Sequence, residues 1–98
     1  MEVMTKKKLY ELTLQNMKRM DEEIIENIVK GVYNQVIHNS LFNTKTSLHW
    51  AVTTDYIFGN PENVKFVHIV RAVVRLQQLF PDSKVYQEPL LGICIDWS

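Results

Sequence analysis

The chain has 98 residues, of which 46% are apolar and 22% charged, and its formal net charge is zero. That is enough for one domain with one core. No stretch approaches the roughly 20 apolar residues that a membrane span needs. A single cysteine, Cys94, excludes an internal disulfide and fits a reducing compartment.

The charge is uneven. Residues 1–20 carry Lys6, Lys7, Lys8, Lys18 and Arg19 against Glu2 and Glu11, a net +3. Residues 21–60 carry Asp21, Glu22, Glu23, Glu26 and Asp55 against Lys30 and Lys45, a net −3. The polar start of the chain lacks the apolar core of a secretory leader.

Thr5 suits a helix N-cap. Beyond it Leu9, Leu12, Met17, Met20, Ile24, Ile28, Val32 and Val36 recur mostly at three- and four-residue steps, the helical period. Ile25, Val29, Tyr33 and Ile37 widen the stripe in its second half. Two readings stand: one helix over about 5–39, or two helices joined near Met20 and Asp21, where carboxylates could start a new one. Gly31 weakens the helix without breaking it, and Asn39-Ser40 is the expected end. A continuous helix would be about 50 Å long, against a radius of gyration near 13 Å for a domain of this size. Its first part would overhang and expose Leu9, Leu12, Leu14 and Met17, the expected partner contact.

Leu48, Trp50 and Val52 alternate with His49, Ala51 and Thr53, predicting a strand. Asn60 and Pro61 fit an N-cap and first helical position, opening a broadly apolar helix through Val64, Ile69, Val73 and Leu76 to Leu79, with Arg71, Arg75 and Gln78 on its wet side. Phe80-Pro81-Asp82-Ser83 stops it. Lys84 to Gln87 predicts a short strand. After a turn at Glu88-Pro89-Leu90, Leu91, Ile93, Ile95 and Trp97 alternate as a last strand. The expected fold is α+β: a long N-terminal helix, then β-α-β-β, with a three-stranded, mainly antiparallel sheet and the helices on one face. Residues 1–98 form one domain, with 1–20 a basic helical extension and 21–98 a globular body.

No catalytic, cofactor-binding or metal motif is legible. His38, His49 and His68 belong to no zinc-ligand spacing. His38 suits a helix C-terminus, and His68 is expected at the solvent or the edge of the core. His49 should point away from Trp50. Cys94 with His49 is the one pair able to imitate a thiol nucleophile and base, but no orienting third group is evident. Asp21, Glu22, Glu23 and Glu26 read as a solvated helix face. Gly59 and Gly92 are isolated and make no phosphate loop. Trp50 and Trp97 read as core residues.

The stretch Trp50-Ala51-Val52-Thr53-Thr54-Asp55-Tyr56-Ile57-Phe58-Gly59-Asn60-Pro61, a following amphipathic helix, and the ending Ile93-Cys94-Ile95-Asp96-Trp97-Ser98 resemble small α+β proteins encoded by large nucleocytoplasmic DNA viruses. The resemblance covers most of the chain and marks Phe58, Gly59, Pro61 and Trp97 as folding positions. Asn60-Pro61-Glu62 departs from it by lacking the aromatic-acid pair that often follows the turn. It implies a viral origin, in a virion or infected-cell cytoplasm, and no catalytic residue.

The expected function is therefore non-enzymatic: an interaction protein or minor structural, capsid-associated protein, with a protein partner or self-association through Leu9, Leu12, Leu14 and Met17. The alternatives are nucleic-acid binding through Lys6, Lys7, Lys8, Lys18 and Arg19, binding of a host factor, and a thiol enzyme using Cys94. No cofactor or small-molecule substrate is expected.

Overall fold

A computed structural model describes residues 3–98; Met1 and Glu2 of the expected extension lie outside them. Helix α1 spans Lys6–Phe42 without a break, which decides between the two readings. The Thr5 hydroxyl accepts the Lys8 N–H at 3.2 Å and caps its start. The helix runs three residues past its expected end at 39. The polar side chains there bond along the helix instead of breaking it: Ser40 Oγ donates to the Val36 carbonyl at 2.8 Å, and Asn43 Nδ2 donates to Asn39 Oδ1 at 3.2 Å. His38 consequently sits inside the helix with its ring against Phe42, not at a terminus.

Strand β1 (Ser47–Ala51) ends one residue before Val52, where the chain enters a single helical turn, α2 (Val52–Asp55). The Asp55 carboxylate accepts the Ala51 N–H at 2.8 Å and closes that turn. This is why the alternation at Val52 and Thr53 does not continue as strand. Asn60 and Pro61 do open a helical turn, but only a 3-10 turn, Pro61–Asn63. Helix α3 (Phe66–Leu79) starts afresh after Lys65. Strands β2 (Lys84–Glu88) and β3 (Gly92–Asp96) complete the chain.

The sheet order is β1-β3-β2, with both pairings antiparallel. The fold is thus the expected α+β arrangement. One sheet face carries Leu48, Trp50, Val85, Ile93 and Ile95 into the core against Ile25, Ile28, Val32 and Val36 of α1 and Ile69, Ala72, Val73 and Leu76 of α3. Trp97 continues the β3 alternation and packs at the core's edge. Each buried valine, leucine and isoleucine among them contributes on the order of 1.5–3 kcal/mol by leaving water. The α3 face is broader than the single sheet can cover, so Phe66, Val67, Val70 and Val74 remain exposed.

The molecule measures 60 × 24 × 24 Å, with a radius of gyration of 16.7 Å. The long axis reflects α1. Its buried residues begin at Ile25, and every residue from 9 to 20 is exposed. About 20 Å of helix at 1.5 Å per residue therefore projects from the body.

Candidate functional site

The projecting part of α1 is amphipathic. At about 100° per residue, Leu9, Tyr10, Leu12, Leu14, Met17 and Met20 fall in one broad arc, while Lys7, Lys8, Glu11, Gln15, Lys18 and Arg19 fall in the other. Tyr10, Leu14 and Met17 prolong the line that Ile25, Ile28 and Val32 bury against the sheet. Lys7 and Lys18 share the azimuths of buried Ile25 and Val36, so the face that is covered in the body continues, uncovered, as an apolar strip with a basic edge. The four expected contact residues are all exposed: Leu9 50%, Leu12 45%, Leu14 40% and Met17 56%. Tyr10 and Met20 are exposed beside them, which spacing alone does not reveal because it does not say where the body ends.

The five cations of the nucleic-acid alternative lie on this same segment. Lys6, Lys7, Lys18 and Arg19 are exposed and Lys8 is half-buried. Glu11 and Glu22 interrupt the basic face, and Arg19 donates to Asn16 Oδ1 at 2.9 Å.

The acidic cluster is not simply a solvated face. Where α1 leaves the body, Asp21 and Glu22 turn towards α3. His68 Nε2 lies 2.7 Å from Asp21 Oδ1, and Arg75 Nη2 donates to Glu22 Oε2 at 2.6 Å. His68 is only 3% exposed, which corrects its expected place at the solvent or core edge. Its Nδ1 accepts the Lys65 N–H at 2.9 Å, so the ring proton sits on Nε2 and is donated to Asp21. One side chain thus closes the first turn of α3 and ties α3 to α1. Glu23 and Glu26 have no ion pair among the described residues.

The sheet face away from the helices carries a second cluster. His49 and Cys94 are cross-strand partners there, and Tyr86 is paired to Cys94 from the other side. His49 points away from the buried Trp50, as the alternation requires. Glu88, which sequence reasoning did not single out, reaches diagonally so that its Oε1 lies 2.6 Å from His49 Nδ1. Gly92 leaves room for it, since a Cβ on Gly92 would meet Glu88 Cβ at 3.2 Å. Cys94 is 2% exposed beneath these side chains. Burial pushes its thiol pKa up, the nearby Glu88 and Asp96 carboxylates push the same way, and the Tyr86 hydroxyl pulls it down. The net direction is upward, opposite to what an activated thiol nucleophile needs.

Comparison with protein-family models, curated proteins and solved structures finds no match to this chain. The resemblance to viral proteins rests on the quoted sequence stretches alone. No helix of the described residues is long and apolar enough to cross a membrane.

Proposed function

We propose that this protein is a non-enzymatic interaction module that self-associates through the projecting part of α1. The observation that carries this reading is the uncovered continuation of the α1 core face through Tyr10, Leu14 and Met17, flanked by exposed Leu9, Leu12 and Met20. An amphipathic helix whose apolar arc meets water tends to bury it against another apolar surface.

A second copy supplies such a surface with matching charge. The projection opens on Lys6 and Lys7 and closes, where it joins the body, on a turn that holds Glu23 and Glu26. Two α1 helices packed antiparallel set each basic end against the other's acidic turn. A two-fold pairing of this kind is self-complementary and closes at a dimer. In a large DNA virus particle, the finer role suggested by the resemblance, such a dimer would act as a minor structural connector. Its copy number in purified particles tests that role.

Deleting residues 1–20 removes no buried side chain among the described residues. The shortened chain should keep the cooperative urea unfolding of the body and sediment as a monomer at every concentration. Concentration-dependent association that survives the deletion would refute the reading.

The basic arc of the same segment favours one other reading, binding of nucleic acid through Lys6, Lys7, Lys8, Lys18 and Arg19. Such binding would weaken steeply with salt, because each neutralised phosphate releases counterions. Salt-independent binding, or none, removes it.

A further inference from the structure

We propose that His49, Glu88 and Cys94 form a binding site for a divalent transition metal, with zinc the best match. Their ligand atoms, one imidazole nitrogen, one carboxylate oxygen and one sulfur, lie within 4.8 Å of one another. They come from three different strands, and they converge on the one sheet face that no helix covers.

The geometry is close to what zinc requires. Zinc bonds of about 2.0–2.3 Å in a tetrahedron place ligand atoms about 3.3–3.8 Å apart. The His49–Glu88 hydrogen bond of 2.6 Å must open slightly, and the wider separations must close. Cys94 is fixed on the central strand. The adjustment falls to His49 and Glu88, whose side chains are 67% and 29% exposed and have room to turn. Gly92 has no side chain to obstruct Glu88.

The chemistry selects the metal class. A thiolate with an imidazole suits zinc or its neighbours, whereas calcium and magnesium take all-oxygen sets. Glu88 and Asp96 make the surroundings of the thiol negative before any cation arrives. Binding replaces the thiol proton: the S–H bond breaks, a metal–sulfur bond forms, and the proton passes to solvent. Thiolate and carboxylate together balance the two positive charges of the ion. Three protein ligands leave a fourth position for water. An ion held here joins β1, β3 and β2, the whole sheet.

Sequence spacing hid this set. Its members lie at positions 49, 88 and 94, and only the β1-β3-β2 order brings them together.

The test titrates the full chain, kept reduced with a phosphine, with cobalt(II) and then zinc(II). The expected result is a single equivalent bound, a thiolate-to-cobalt charge-transfer band displaced by zinc, and a melting temperature raised by about 10 °C at zinc concentrations 100-fold above Kd. Outer-shell changes alone cost 10–100-fold in metal affinity, so His49→Ala should weaken binding by at least about 100-fold. Cys94→Ser should abolish the band, and His38→Ala should change neither. His49 is exposed, so its replacement leaves the core intact, and circular dichroism verifies this. Absence of a stoichiometric band in the wild type, or unchanged affinity in His49→Ala, would overturn the site.

Discussion

His68 Nε2 of α3 donates its proton to Asp21 Oδ1 of α1 across 2.7 Å, joining residues 47 apart at the point where α1 leaves the body. His68 is buried while the Asp21 side chain is 49% exposed. The effect of a substitution at Asp21 should therefore depend on whether the buried ring keeps an acceptor. Asp21→Ala strands a buried ring N–H and should cost about 1–2 kcal/mol, whereas Asp21→Asn keeps an acceptor oxygen and should cost less than about 1 kcal/mol. Urea unfolding of the two variants measures the difference. Equal losses would mean that the contact is a screened surface pair.

Gly31 lies inside α1, facing Trp50 and Phe58. A Cβ there would sit 3.7 Å from the Phe58 ring and 3.8 Å from Trp50 Nε1, ordinary contact distances. Gly31→Ala should stabilise the protein by roughly 0.8 kcal/mol through helix propensity. Thermal unfolding checks the sign. Trp50 Nε1 has no hydrogen-bond partner among the described residues, so the indole is held by packing, including its edge contact with Tyr56 at 6.5 Å.

The β2–β3 turn holds two leucines in the left-handed region, Leu90 at φ 60° and Leu91 at φ 57°. A side chain there costs about 1–2 kcal/mol. Leu90 is 90% exposed and gains nothing from packing, while Leu91 packs against the core and its carbonyl accepts the Val52 N–H at 3.2 Å. Leu90→Gly should therefore stabilise by up to about 1 kcal/mol, and Leu91→Gly should not. Paired denaturation midpoints decide this.

Cys94 has a raised pKa in the folded protein, chiefly from burial. The unfolded chain then loses its thiol proton first as the pH rises. The contribution of the thiol is fully present below its unfolded pKa and is lost as the pH climbs through the folded value. The exposed Tyr86 hydroxyl is also raised, chiefly by its hydrogen bond to Cys94. Stability should accordingly fall on the alkaline side of the ordinary thiol range, and Cys94→Ala should flatten that fall. Melting temperatures across the alkaline range measure it. A profile unchanged by the substitution would show that the thiol does not contribute.

The architecture was largely legible in the sequence because its signals are local. The alternation in 48–51 and 91–97, the helical stripe from Ile24 to Val36, and the stop at Phe80-Pro81 each act within a few residues. The departures come where one specific side-chain hydrogen bond overrides the periodic pattern, twice within four residues and once across the fold. Asp55 capturing the Ala51 N–H ended β1 early. His68 closing the turn at Lys65 started α3 after the Asn60-Pro61 signal. The burial of His68 is not legible in the sequence because its partner, Asp21, is 47 residues away. Helical spacing marks Leu9, Leu12, Leu14 and Met17 as one apolar set, but their exposure depends on where the sheet ends beneath α1. Glu88 carried no signal at all, since only the diagonal across β1, β3 and β2 gives it a neighbour.

The most direct test of self-association through α1 is sedimentation equilibrium of the full chain beside the double variant Leu12→Glu/Met17→Glu. Both residues lie in the projection, so the body should unfold in urea as before. The wild type should show a monomer–dimer equilibrium, and the double variant should remain monomeric over the same concentrations. A wild type that is monomeric throughout, or a variant that dimerises equally well, would contradict the account.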